Sequence, residues 1–234
     1  MTKYCTPWSF LAAVLTVSAL SLAPPVRAAD PSQFSAAENK LFVDDHLHGI
    51  GGPATLEYAY AKRGSLEAPV DDAARVIIGP AKAGAAPPVK VEYLTDTRKL
   101  ELADIDGANA NPVILFFLER DVREMHRLTG GSVSYYRKRI RMALAEGGQI
   151  EAVTRDLGPR RIAATEIRLA PYRDDPARSR YEKFADKTYT FTLSDDVPGR
   201  VVELRTEVSV PGGVAGTAPD LVIAETLRFV RERR

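Results

Sequence analysis

Apolar and polar residues alternate with a period of two along most of the chain, and that rhythm breaks once, near the middle. From Thr55 to Lys62, the residues Leu56, Tyr58 and Tyr60 share one face and Glu57 takes the other, as in a half-buried strand. Arg75 to Ile78 reads as a second strand after a polar turn at Asp71-Asp72. Val89 to Leu94 reads as a third and Arg98 to Leu102 as a short fourth. Beyond the interruption, Gln149 to Arg155 and Arg160 to Leu169 are strands joined at Leu157-Gly158-Pro159, with Ile162, Ala164, Glu166 and Arg168 on one face of the second. Pro171 to Arg180 is a charged loop. Lys187 to Leu193 alternates most cleanly, with Tyr189, Phe191 and Leu193 opposed to Thr188, Thr190 and Thr192. Arg200 to Val210 and Leu221 to Val230 complete the series, separated by a Gly/Pro-rich loop from Pro211 to Pro219.

The interruption, residues 111–146, has the period of a helix. Asn111 stands where an N-cap belongs and Pro112 where the first helical residue belongs. Val113, Phe117, Val122, Met125 and Leu128 recur at helical spacing, with further apolar bulk at Ile114, Leu115, Phe116 and Leu118. The second half of this helix carries Glu119, Arg120, Asp121, Arg123, Glu124 and Arg127, the pattern of an amphipathic helix with a polar face. Gly130-Gly131 stops it, Ser132 caps a second helix, and Gly147-Gly148 ends that one. The basic run Arg137, Lys138, Arg139 and Arg141 reads either as a solvated face balanced by the preceding helix or as an anion or phosphate-lipid site.

Strands, a helical pair, then strands again predict an α+β fold with a strongly curved, mostly antiparallel sheet of about eight strands packed on a central αα-hairpin. Most connections are too short for parallel crossovers. Residues 41–234 are expected to form one domain, and 29–40 a flexible leader or a short first helix.

The first 28 residues change the reading of composition. Lys3, an apolar run from Phe10 to Leu22, and small-residue sites at Val26-Arg27-Ala28 and Arg27-Ala28-Ala29 resemble a secretory signal peptide. An uncleaved anchor is the alternative. Cleavage would remove the sole cysteine, Cys5, and the sole tryptophan, Trp8, so thiol chemistry and disulfides would leave with the segment. It would also remove Lys3 and Arg27 and no acidic residue, taking the formal charge from +1 to 1 − 2 = −1. A near-neutral chain gives no electrostatic argument for a nucleic-acid partner.

A curved antiparallel sheet wrapped over helices, in an exported chain of this length, resembles the periplasmic lipoprotein-localisation-factor fold. The segments FLERDVREMHRLTGGSVSYYRKRIR and YTFTLSDDVPGR are similar to uncharacterised exported proteins of Gram-negative bacteria. Neither resemblance transfers a functional residue.

Candidate chemistry is sparse. His46 and His48, in Asp44-Asp45-His46-Leu47-His48, resemble the Asp-x-His-x-His start of metal-dependent amidohydrolases, and alternate strand residues would place both rings on one face. The later ligands of that pattern are missing, because the third histidine, His126, falls on the amphipathic helix. The bland reading is two polar residues ahead of the first strand. Gly49-Ile50-Gly51-Gly52 lacks the Lys-Ser/Thr pair of a phosphate loop, and Ser132 lacks the strand-turn-helix setting of a nucleophile. The aromatic residues Tyr58, Tyr60, Tyr93, Phe116, Phe117, Tyr189 and Phe191 either fill a core or line a pocket between sheet and helices.

The leading expectation is a periplasmic, non-catalytic binding or carrier protein for a hydrophobic or lipid-like ligand. The alternatives are a structural or assembly partner of an envelope complex, and a metal-dependent hydrolase using His46 and His48. No cofactor, no nucleic-acid partner and no membrane span in the cleaved chain are expected.

Overall fold

A computed structural model describes residues 33–50, 52–80, 86–102, 107–209 and 221–234. Residues 1–32 (which include the expected signal peptide), Gly51 and the loop Pro211–Pro219 lie outside the described residues. Eight strands form one curved, unclosed antiparallel sheet: β1 (Ala54–Arg63), β2 (Val70–Ile78), β3 (Val89–Tyr93), β4 (Gln149–Leu157), β5 (Arg160–Leu169), β6 (Thr188–Leu193), β7 (Val201–Ser209) and β8 (Leu221–Arg233). Their spatial order is β3-β2-β1-β8-β7-β6-β5-β4. The α+β expectation holds.

That order explains the helices. β3 and β4 are neighbours in sequence but lie at opposite edges of the sheet. Seven strand spacings of about 4.8 Å separate them, so the connection must cross a whole face. It does so as α2 (Val113–Thr129) and α3 (Val133–Ala145). At about 1.5 Å per residue, these helices are long enough to make the crossing. The face they cover holds the core, which joins Leu56, Tyr58, Tyr60, Phe191, Leu204 and Leu227 of the sheet to Val113, Phe117, Val122 and Met125 of α2.

Helix boundaries follow local chemistry. Asn111 Oδ1 accepts the Val113 N–H at 3.2 Å, and Gly130, with φ of 73°, ends α2. Ser132 caps α3 through the Tyr135 N–H at 3.2 Å. The leader is not loose throughout. α1 (Ala36–Glu38) runs into a π-turn, Asn39–Val43, and buries Ala37 and Leu41. Ser35 and Glu38 form a capping box, and the Ser35 hydroxyl donates to the Leu144 carbonyl at 2.6 Å.

Three segments depart from the pattern reading. Asp71 and Asp72 lie inside β2, not in a turn. Asp72 stays there because its carboxylate accepts bonds from the Thr95 hydroxyl at 3.0 Å and Arg98 Nε at 2.8 Å. Residues 98–102 are not a strand: Asp96–Arg98 is a 3-10 turn, and Leu100 makes a single bridge to Tyr93. The charged loop after Pro171 contains a 3-10 segment, Arg178–Phe184, which buries Tyr181 and Phe184.

Asn111 ties these pieces together. Its Nδ2 donates to the Tyr58 hydroxyl at 2.8 Å and to the Gly199 carbonyl at 2.9 Å. Gly199 sits at φ 74°, and a Cβ there would meet Leu56 Cδ1 at 2.5 Å, so only glycine fits beside Asn111. The N-cap position itself falls on Pro112, one residue later than the pattern suggests, so Asn111 acts from just ahead of the helix. Asn111→Ala removes the acceptor of the Val113 N–H and leaves a buried hydroxyl and carbonyl without that donor. The expected cost is about 2–4 kcal/mol, read from denaturant unfolding. A loss below about 1 kcal/mol, the size of one ordinary hydrogen bond, would contradict this role.

Candidate functional site

The interior between α2 and the concave face of the sheet gathers all seven aromatic candidates. Tyr58, Tyr60, Tyr93, Phe116, Phe117, Tyr189 and Phe191 are each no more than 3% exposed. Alternation on β1, β3 and β6 turns the tyrosines and Phe191 inward, and the apolar first turns of α2 supply Phe116 and Phe117. The rings interlock: Tyr93 meets Phe116 at 5.9 Å, and Tyr58 meets Phe229 edge-on at 5.8 Å.

Behind the aromatic layer lies a buried charge network that the periodicity did not reveal. α2 turns Arg120, Asp121 and Glu124 toward the sheet, and the exposed Arg127 closes the network at its rim. There they meet Lys62 of β1, Glu67, Lys187 and Glu225 of β8. Glu124 accepts from Lys62 at 2.6 Å, Arg120 at 3.0 Å and Arg127 at 2.7 Å. Lys62 and Arg127 also reach Glu67. Asp121 accepts from Lys187 and from the Tyr189 hydroxyl, which pairs with Tyr172 at 2.9 Å. Four cations (Lys62, Arg120, Arg127, Lys187) balance four anions (Glu67, Asp121, Glu124, Glu225).

Titration divides the carboxylates. Burial alone would raise the Glu124 carboxyl, but bonds from Arg127 and Lys62 and the charge of Arg120 hold it well below the ordinary range. Burial dominates at Glu225, and the nearby charges of Arg120 and Lys187 offset only part of it, so this carboxyl is raised.

Between the network and the rings, three buried polar atoms make no regular hydrogen bond to the described residues: the Tyr60 hydroxyl, the Tyr93 hydroxyl and Glu225 Oε1. They belong to one neighbourhood. Burial raises both phenols, the Glu225 charge adds to the rise at each, and at Tyr60 the approach of its hydroxyl to the Glu225 carboxyl adds further, although that approach falls outside regular hydrogen-bond geometry. Glu225 Oε1 lies 3.6 Å from Arg120 Nη2, within ion-pair range but too long for a hydrogen bond. Native interiors satisfy most such atoms, so three together mark an unusual spot. The seven aromatics therefore divide. Tyr58 and Tyr189 spend their hydroxyls on Asn111 and Asp121, whereas the Tyr93 hydroxyl has no partner among the described residues and the Tyr60 hydroxyl has only the Glu225 carboxyl beside it, outside regular hydrogen-bond geometry.

A charged residue at an inward strand position was the available signal. Lys62 continues the alternating set of Leu56, Tyr58 and Tyr60, and Glu225 lies directly opposite it on β8. The partners of α2 could not be found without the strand order.

The two histidines do not share a strand face. They lie in a turn ahead of β1. His46 is buried, donates from Nε2 to the Lys40 carbonyl at 2.7 Å and accepts the Asn111 N–H at Nδ1. His48 is exposed, 3.8 Å from Asp45. No group of three or more His, Cys, Asp or Glu among the described residues is placed to hold a metal. Burial lowers the pKa of His46 below 6.5, aided by the charge of Arg200 and opposed by the Lys40 bond and by Asp44 and Asp45. A depressed folded-state pKa means that the unfolded chain takes up the proton first. The His46 contribution to stability is thus complete above pH 6.5 and is lost as pH falls toward the folded value. An NMR titration of its ring should show a midpoint below 6.5, and a midpoint at or above it would contradict this burial.

The basic run on α3 is partly engaged. Arg137 binds Glu119 of α2 at 2.9 Å, and Arg139 binds the Pro171 carbonyl and Asp175, each at 2.9 Å. On the outer face of the sheet, an open groove of about 810 Å³ is lined by paired charges including Arg155, Glu166, Arg168 and Arg205, and by none of the seven aromatics.

No protein-family model matches the chain, and no curated protein does. Among solved structures, the chain has a likeness to the Mycobacterium tuberculosis lipoprotein LppX, at 9% identity over 75% of this chain and 84% of that one, with a TM-score of 0.28. It also has one to a β-barrel-like protein of domain of unknown function DUF1849 from Brucella abortus, at 10% identity over 78% and 97%, with a TM-score of 0.18. Likenesses this distant carry no argument about what the chain does. No helix among the described residues is long and apolar enough to cross a membrane.

Proposed function

We propose that the chain is an exported, periplasmic, non-catalytic binding or carrier protein for a lipid-like ligand, taken up between α2 and the concave face of the sheet. The observation that carries this reading is the set of buried polar atoms without a regular hydrogen bond, Tyr60 Oη, Tyr93 Oη and Glu225 Oε1, at the boundary between the aromatic layer and the charge network. An amphiphile matches both parts: its chain replaces ring contacts and its head group completes the polar atoms. The head group is neutral, because the four cations and four anions nearby already balance and another buried charge would go uncompensated. Hydroxyl and ester oxygens of a monoacylglycerol-type head fit two phenols and a carboxyl.

Uptake requires α2 to move away from the sheet, since the rings are closed over one another. The ion pairs of α2 with Lys62, Lys187 and Glu225 then act as its clasp.

The test is a titration with a monoacylglycerol below its micelle concentration. Cleavage after residue 28 leaves no tryptophan, so tyrosine emission reports the site. The expected result is a saturable change that Tyr60→Phe with Tyr93→Phe weakens at least tenfold, about 1.4 kcal/mol. No saturable change in the wild-type protein would overturn the proposal.

A further inference from the structure

The two edges of the sheet are not alike. β3 has five residues, follows Pro87-Pro88, and is partly covered by the bridge from Leu100 to Tyr93. β4 has nine residues, pairs with β5 without a register shift, and contains neither proline nor lysine. Natural sheets protect such an edge with a bulge, a proline or charged side chains. β4 has neither bulge nor proline and carries Glu151, Arg155 and Asp156, and alternate residues turn their N–H and C=O groups away from β5.

Its charges point to an occupant. Glu151 stands directly opposite Glu166 across the β4–β5 pair, a like-charge arrangement that weakens a sheet. Glu166 is clamped by Arg155 and Arg168, whereas no bond or ion pair of Glu151 is found within the described chain. We propose that β4 pairs antiparallel with β4 of a second copy of this chain, about a two-fold axis at Val153, so that two eight-stranded sheets run on as one. Partner positions across such an axis mirror about its centre. Centred on Val153, the register sets Arg155 opposite Glu151 of the second copy, twice by symmetry, and Ala152 opposite Thr154. Centred on Ala152, it would set Arg155 against Gln149 and Glu151 against Val153. Centred on Thr154, it would set Glu151 against Leu157. Only the Val153 centre among these joins opposite charges, which supports cross-strand pairs. The guanidinium of Arg155 has donors enough to keep Glu166 and accept a second carboxylate. Pairing also extends the outer-face groove, which Arg155 and Glu166 already line, across the axis.

The test uses the protein purified from its native host in a Cys5→Ser background. Sedimentation equilibrium should show a monomer–dimer equilibrium that Glu151→Arg weakens by roughly tenfold or more. Glu151 is exposed and faces Glu166, so this substitution should leave circular dichroism and the unfolding midpoint intact. Val153→Cys brings two thiols opposite each other at about 4.5–5.5 Å between Cα atoms, within disulfide range. Mild oxidation should therefore cross-link Val153→Cys and not Ala152→Cys, whose mates lie two residues apart along the strands. A dimer with this register supports the proposal, including where Glu151→Arg fails to fold and only the cross-link is read. A monomer at every concentration, which would leave the edge to a different protein, overturns it. So does a dimer in which Ala152→Cys cross-links as readily as Val153→Cys.

Discussion

Glu124→Ala is expected to lower unfolding stability by about 3–5 kcal/mol, the cost of removing one partner from a buried ion pair. Three cations converge on this carboxylate, and two of them, Lys62 and Arg120, remain poorly hydrated when it is gone. Glu67 retains Lys62 and Arg127, but it is itself partly exposed and holds them less firmly. A small domain has about 5–15 kcal/mol in total, so the variant should be marginal at ordinary temperature. The effect also depends on pH. The folded pKa of Glu124 lies below the ordinary 4.5, so the unfolded chain binds the proton first as pH falls. Its contribution is therefore full above pH 4.5 and declines below it. The wild-type advantage over Glu124→Ala should narrow as pH is lowered from about 5 to 3. Denaturant midpoints compared at constant slope measure both effects, and an advantage that widens in acid would contradict the assignment.

Lys187→Met should cost a similar amount, about 3–5 kcal/mol, for the converse reason. Lys187 and Asp121 are the most completely buried pair in the network, at 2% and 1% side-chain exposure. Without the ammonium, Asp121 is a buried anion held only by the Tyr189 hydroxyl. Replacing both partners behaves differently. Asp121→Leu with Lys187→Met removes two desolvated charges together, and Tyr189 keeps its bond to Tyr172. The double variant should recover to within about 1 kcal/mol of wild type or exceed it, as apolar replacements of buried pairs often do. The coupling read from the four-variant cycle should be large and favourable. Two single losses that simply add would show that the pair does not act as a unit.

The sheet was legible because alternation is a local property. Tyr189, Phe191 and Leu193 opposed to three threonines can only be a strand with one buried face, and Leu56, Tyr58 and Tyr60 repeat the argument. The helix ends were legible because Asn111, Gly130 and Ser132 act on atoms within a few residues. What failed depends on distant partners. Asp71-Asp72 looked like a turn because the residues that hold Asp72 in β2, Thr95 and Arg98, come more than twenty positions later. Arg120, Asp121 and Glu124 looked like a solvated face because Lys62, Lys187 and Glu225 are separated from them by whole strands. Seven aromatics could be named from their faces, but which hydroxyls are satisfied was not legible, since that depends on where α2 places Asn111 and Asp121. The histidine pair was legible only as two polar residues ahead of the first strand, since their spacing suits a strand face whereas the chain there is a turn.

The strength of the clasp and the polar atoms without a regular hydrogen bond behind it belong together. Buried charge is an inefficient way to hold a helix on a sheet, since apolar packing of the same volume often does better. It suits a helix that must separate and return, because water can solvate every group that is uncovered. On this account stability is given up at α2 in exchange for access to Tyr60, Tyr93 and Glu225. The most direct test is native mass spectrometry of the protein purified from its native host without detergent. The account predicts a mass adduct of one neutral amphiphile per chain, retained by the wild type and lost from Tyr60→Phe with Tyr93→Phe. A spectrum of the bare chain alone, unchanged after incubation with monoacylglycerol, would contradict it.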